Sequence, residues 1–176
     1  MPRLPYTKLA PEAYAKLLSL GHYINTATTL EPVLLGLVYL RASTLNGCGF
    51  CKGMHAAELR HHHEPETRIA AIADWQASDA FTPRERAALA WTDRLTRLDG
   101  HEVPEEAYAA VSEFFHDKDL VDLTFAIAQI NAWNRLGIAF AVEWNPPQHS
   151  ETSAAAQPAS DGKEDSGGDG GKVAED

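Results

Sequence analysis

A chain of 176 residues, 44% hydrophobic and 23% charged, is long enough to bury one core and has the composition of an ordinary globular domain. Its formal charge of −10 argues against binding a phosphate backbone, so no nucleic-acid partner is expected. The opening MPRLPYTKLAPEAY lacks the apolar core of a secretory leader, and no run approaches the roughly 20 apolar residues of a membrane helix, so a cytoplasmic protein without a membrane partner is expected.

The apolar periodicity is helical nearly throughout. In APEAYAKLLSLGHYINTA, Tyr14, Leu17, Leu18 and Ile24 share one side. A turn is expected at Thr28–Glu31. Pro32 suits the first position of a helix over about 32–44, which is apolar almost all round and therefore expected to be buried. Asn46-Gly47 breaks it. The next helix starts near Cys48 and runs to about His63, where Pro65 disfavours its continuation. TRIAAIADWQ predicts a short helix over about 66–76. Thr82-Pro83-Arg84-Glu85 reads as an N-cap, a first-turn proline and a capping-box glutamate, opening ERAALAWTDRLTRL, where Leu89, Thr92, Leu95 and Leu98 align. Pro104 opens EEAYAAVSEFF in the same way, and one long apolar helix is expected over about 118–143. Pro146-Pro147 closes the domain. No alternating strand pattern intervenes, so 1–147 reads as an all-α domain of six to eight helices.

From His149 onward the composition changes. Seven Asp and Glu face two Lys with no aromatic residue, which accounts for −5 of the −10. Such a segment buries too little apolar surface to offset its chain entropy, so 148–176 is expected to be a disordered acidic Gly/Ser/Ala-rich tail.

Both cysteines lie in LNGCGFCKGMH, residues 45–55. In a reducing compartment such a pair is more often catalytic or metal-binding than structural. On a helix, Cys48 and Cys51 are i and i+3 neighbours and Cys51 and His55 are i and i+4 neighbours, so all three share one patch. Cys48 falls in the first turn, where unpaired N–H groups and the positive dipole end favour a thiolate. His55 can act as base toward the Cys51 thiol, or as a cation beside its thiolate. The chemistry open to such a centre is thiolate attack on a peroxide or a disulfide, with the second cysteine resolving the product.

Two other readings compete. Cysteine is also a common small buried hydrophobe. Alternatively the cysteines, His55 and the run His61-His62-His63 could hold zinc. Adjacent histidines on a helix point about 100° apart, and His62 lies roughly 10 Å along the axis from His55, so no metal and no cofactor is expected. The histidine run reads as a solvated helix end.

Around this centre, Glu58 could orient His55, although an exposed carboxylate paired with Arg60 or another neighbour is the plainer expectation. Tyr39 and Arg41 sit in the buried helix, and Arg41 is expected to find an acidic partner on the last helix. Asn131 and Arg135 share a face of that helix and, with Asn134, are expected to join a buried hydrogen-bond network. Trp133 is expected in the core or at a subunit contact. No glycine-rich phosphate loop or Ser-His-Asp signature is present.

LRASTLNGCGFCKGMH, FTPRERAALAWTDRLTRL and LVDLTFAIAQINAWNRLGIAF, in that order, resemble the alkylhydroperoxidase D-like (AhpD-like) group of the carboxymuconolactone decarboxylase superfamily, over about residues 2–147. The resemblance implies an all-α fold, a homo-oligomer (a trimer, or a hexamer built from trimers) and thiol-dependent hydroperoxidase activity with an antioxidant role. It implies a hydroperoxide substrate and a thiol or dithiol reductant as partners. It also implies the roles: Cys51 attacks the peroxide, Cys48 resolves, and His55 belongs to a proton relay. The dipole argument favours Cys48 as the more acidic thiol; proton access through His55 favours Cys51, and the roles follow the resemblance.

One departure matters. The relay glutamate expected twelve residues before the first cysteine is Gly36 here, and a histidine that some members carry between the cysteines is Phe50. A glycine transfers no proton and is expected to leave a gap that a water or substrate group could enter; Gly36→Glu is then expected to raise the peroxidase rate. The departure also motivates an alternative function, a non-enzymatic redox-sensing or thiol–disulfide exchange protein. The decarboxylation in the superfamily's name does not rest on the cysteine pair, and no separate acid–base constellation for it is found.

Overall fold

The nearly all-apolar segment after Pro32 becomes the central helix of the molecule. The computed structural model describes residues 2–98 and 102–145. In chain order these form α1 (Tyr6–Leu9), α2 (Pro11–Ala27), α3 (Pro32–Asn46), α4 (Gly49–His61), α5 (Glu66–Ala71), a 3-10 helix (Ile72–Ala77), α6 (Pro83–Arg97), α7 (Glu105–Ser112) and α8 (Asp117–Ala139). There is no strand among the described residues, and the eight α-helices meet the expected all-α class. The expected acidic tail, 148–176, lies outside the described residues.

α3 lacks a polar face because it is covered on two sides. Leu35, Val38, Tyr39 and Ala42 pack with Ala126, Ile127 and Ile130 of α8 and with Trp91 and Phe115. Leu37 and Leu40 pack with Leu59 of α4, Ile69, Ile72, Trp75, Phe81 and Leu89. Fully burying an aliphatic side chain of this size contributes about 1.5–3 kcal/mol, so two such clusters on one helix make α3 the frame on which the neighbours are hung. None of the described helices is long and apolar enough to cross a membrane.

The punctuation residues act as their chemistry predicts. Thr82 Oγ1 accepts from Glu85 N (3.3 Å) and Glu85 Oε2 accepts from Thr82 N (2.8 Å), a complete capping box at the start of α6. Four expectations need correction. The Arg41 partner is Asp93 on α6, not an acid on the last helix: Nε–Oδ1 is 2.5 Å and Nη2–Oδ2 is 2.8 Å, while Nη1 donates to the carbonyls of Ile72 and Ala73. The 66–76 helix is an α-helix to Ala71 that continues as a 3-10 segment, itself kinked at Asp74 (φ −131°, ψ 56°). α7 stops at Ser112, short of the predicted EFF. α8 ends at Ala139 rather than near 143, where Ala141 turns to φ +52° and Val142 N bonds back to Gly137 O (2.9 Å). That reversal lays the Trp144 ring on Gly53 of α4 and edge-on to Phe50, with centroids 5.7 Å apart. The half-buried indole packs there against α4, which a helix continued to 143 would not allow.

Candidate redox site

The cysteine pair is built on the joint between α3 and α4. Gly47 adopts the left-handed conformation (φ 73°, ψ 23°) that a side chain would disfavour. Its N–H bonds to Thr44 O (3.2 Å) and that of Cys48 to Ser43 O (3.0 Å), a Schellman ending for α3. Cys48 is then the N-cap of α4, in extended conformation, and its sulfur accepts from Cys51 N (3.3 Å). One residue therefore closes one helix with its backbone and opens the next with its side chain.

The joint is fixed from behind by amides. Asn46 Nδ2 donates to Asn131 Oδ1 (2.9 Å) and to Asn134 Oδ1 (2.8 Å). Asn134 Nδ2 donates to Ser43 Oγ (3.0 Å), and Asn131 Nδ2 to Thr96 Oγ1 (3.1 Å). Arg135 Nη1 donates to Asn131 Oδ1 (3.0 Å). The spacing of Asn131, Asn134 and Arg135 already pointed to such a network. Its hub, Asn46, had been read only as a helix breaker.

Cys48 and Cys51 are joined as a disulfide, with Cα atoms 5.4 Å apart. Both are buried. A Cβ on Gly137 of α8 would lie 3.0 Å from Cys48 Sγ and 3.6 Å from Cys51 Sγ, so α8 presents bare backbone to the pair. Cys51 lines a cavity of about 720 Å³ together with His55, Tyr39, Phe50 and Trp133, whereas Cys48 is not part of its wall.

His55 is 5% exposed, and its Nδ1 lies 2.6 Å from Glu58 Oε2. The expected Glu58–Arg60 pair does not form: Arg60 pairs with Glu66 across the Pro65 turn, and Glu58 is left to the histidine. Nε2 finds no partner among the described residues, and in the tautomer that donates Nδ1–H to the carboxylate it carries the lone pair. Glu58 itself is half-exposed, so the buried imidazole is linked to solvent through it. Tyr39 packs against His55 with ring centroids 5.0 Å apart. Burial, reinforced by the nearby Glu58 carboxylate, pushes the Tyr39 phenol well above its ordinary value, so it stays protonated.

Gly36 lines the cavity, but a side chain at this position would run into α4. A Cβ on Gly36 would lie 2.8 Å from Leu59 Cδ2 and 3.2 Å from Leu59 Cγ, and Leu59 is fully buried. The glycine lets α4 approach α3. Gly36→Glu is now expected to lose about 1–3 kcal/mol by overpacking, read as a lower midpoint in denaturant, and to bring no gain in rate, since Nδ1 of His55 is already held. His61, His62 and His63 lie exposed at the end of α4, and His62 reaches the cavity mouth.

A helix-capping cysteine disulfide-bonded to a second one, with a carboxylate-held histidine one turn further and a cavity alongside, defines an all-α protein with a thiol–disulfide centre. The carboxymuconolactone decarboxylase family profile matches residues 11–94. The uncharacterised protein YdfG of Bacillus subtilis is 34% identical over 137 residues, 78% of this chain and 92% of that protein. A crystal structure from Agrobacterium tumefaciens, described as a protein of unknown function and candidate antioxidant-defence protein AhpD, is similar at a TM-score of 0.78 and 35% identity, covering 82% of this chain and 99% of that one. The debrominase Bmp8 shares the fold alone: its TM-score is 0.71 at 19% identity, over 80% of this chain and 75% of that one. The chain belongs to the carboxymuconolactone decarboxylase family, as an AhpD-like member.

Proposed function

We propose that the protein is a thiol-dependent hydroperoxidase in which Cys51 attacks the peroxide, Cys48 resolves and His55 moves the proton. The observation that carries the reading is the division of labour around the disulfide. Cys51 faces the cavity with the lone pair of His55 nearby in its wall, while Cys48 sits behind it against α8. The helix-cap hydrogen bond favours a thiolate on Cys48, but access outweighs acidity when the oxidant must reach sulfur.

The cycle balances as follows. The Cys51 thiol gives its proton to His55 Nε2, and the thiolate bonds to one peroxide oxygen as the O–O bond breaks. The expelled alkoxide recovers the proton that His55 took, leaving a sulfenic acid, an alcohol and a neutral imidazole. The Cys48 thiol then attacks that sulfur, releasing water and forming the disulfide, and a dithiol reductant restores both thiols. Glu58 holds the imidazole in the tautomer this needs, taking the place that Gly36 cannot fill. The rival reading, a non-enzymatic redox sensor, rests on Gly36 at the relay position; the Glu58 carboxylate beside His55 supports the enzymatic reading instead. The wall of Tyr14, Phe50, Trp133, Leu18 and Leu35 suits an organic hydroperoxide better than hydrogen peroxide. The homo-oligomer that the resemblance implies is kept within this proposal.

The test is a thiol count. Fully reduced, folded protein given one equivalent of an organic hydroperoxide is expected to lose both thiols as an intramolecular disulfide, and to consume peroxide repeatedly when a dithiol is supplied. Two free thiols remaining would refute the reading; disulfide formation without repeated turnover would favour the sensor.

A further inference from the structure

The site holds two buried polar atoms that the thiol cycle leaves only half used. His55 Nε2 and the Tyr39 hydroxyl both lack a hydrogen-bond partner among the described residues. The residues are 5% and 8% exposed, their rings touch, and both line the cavity that Cys51 lines. A buried, unpartnered donor or acceptor costs about 1–3 kcal/mol, so two of them, on rings in contact in the wall of one cavity, point to a polar group of a ligand there. Their chemistry is complementary. When the imidazole is neutral with its Nδ1–H turned to Glu58, Nε2 is the acceptor, whereas the phenol, held protonated by burial, is the donor. A hydroperoxide carries one O–H to give and oxygen lone pairs to receive with. A disulfide carries no proton to give and satisfies only one of the two atoms.

Building on the peroxidase reading above, we propose that Tyr39 is a further catalytic residue, the general acid that protonates the departing alkoxide of an organic hydroperoxide, which first docks between its hydroxyl and His55 Nε2 and is attacked once Nε2 has taken the Cys51 proton and turned from acceptor to donor. As the Cys51 sulfur bonds to the terminal oxygen and the O–O bond breaks, the alkoxide takes the phenolic proton and leaves as an alcohol. Sulfur is oxidised by two electrons and the peroxide reduced by two. The proton that His55 took from the Cys51 thiol then restores the phenol, so the net change is thiol plus hydroperoxide to sulfenic acid plus alcohol. Sequence reasoning placed Tyr39 only as a neighbour of Arg41 in a buried helix. What marks it out is its unpaired hydroxyl beside an equally unpaired imidazole nitrogen.

The test separates acid catalysis from packing by varying the leaving group. Tyr39→Phe keeps the ring and its contact with His55. Reduced full-length chain is mixed with tert-butyl hydroperoxide, whose alkoxide leaves poorly, or with peracetic acid, whose carboxylate needs no proton, and single-turnover oxidation of Cys51 is followed. Tyr39→Phe is expected to slow the first reaction about 10²-fold, within the usual range for general acid catalysis, and the second less than about threefold. Alkylation of Cys51 by iodoacetamide, which expels no oxygen, is expected to be unchanged. Equal slowing with both oxidants, or none, would overturn the role of Tyr39 while leaving the peroxidase reading standing. Wild-type protein oxidised by neither peroxide would overturn both.

Discussion

Cys51→Ser is expected to abolish peroxide turnover, by at least about 10³-fold, the scale on which losing a nucleophile is felt. Cys48→Ser is expected to behave differently. It retains the first oxidation, stops at a sulfenic acid on Cys51 and turns over only as fast as external thiol rescues it. Dimedone labelling followed by mass spectrometry reads the difference directly: one adduct on Cys51 in the Cys48→Ser protein, none in the Cys51→Ser protein. The prediction is sharp because the structure sets two criteria against each other. The cap hydrogen bond from Cys51 N to Cys48 Sγ argues for Cys48 as the readier thiolate, and the cavity wall argues for Cys51. An adduct on Cys48 in the Cys51→Ser protein would mean that acidity, not access, assigns the roles.

His55→Gln carries the second large effect, an expected loss of 10²–10⁴-fold in the rate of Cys51 oxidation, about what a positioned general base supplies. Glu58→Gln is expected to cost about tenfold. The amide of glutamine can donate to Nδ1 and drive the proton onto Nε2, the wrong tautomer for a base facing the cavity. Glu58→Asp, which keeps the charge with a shorter reach, is expected to recover part of the loss. Stopped-flow oxidation under single-turnover conditions, with the fold checked by circular dichroism, distinguishes these. A Glu58→Gln protein as fast as wild type would remove the carboxylate from the mechanism.

The helices were legible wherever local chemistry decides them. Pro32, the Thr82–Glu85 capping box and the Asn46-Gly47 break were each readable from a few neighbouring residues, and α3, α6 and the α3–α4 joint follow from them. The placing of Cys51 and His55 one turn apart on α4 was legible for the same reason, whereas Cys48, expected in the first turn, is the extended N-cap and stands outside the cavity wall. What was hidden depends on partners distant in sequence. Glu58 had two neighbours to choose from, and the choice was made by Glu66, which draws Arg60 away from beyond the Pro65 turn. Gly36 does border the cavity, but the crowding a side chain would meet there comes from Leu59, twenty-three residues later, and no local window shows it. The Arg41 partner sits on α6 because the guanidinium is also held by the carbonyls of Ile72 and Ala73, a meeting of three elements that no window of sequence contains. The length of α8 was overestimated because the Trp144 contact with α4 wins over local helix propensity.

Gly137 has a consequence for the order of events. Because α8 presses bare backbone against the pair, with room for no Cβ beside Cys48 Sγ, that sulfur has no approach from the α8 side. On the proposed cycle the incoming reductant must therefore open the disulfide at Cys51, through the same cavity the peroxide used. Oxidant and reductant then share one doorway and exclude each other from it. The enzyme would run as a two-stroke engine, each visitor gone before the next arrives, and excess reductant would compete with peroxide for entry.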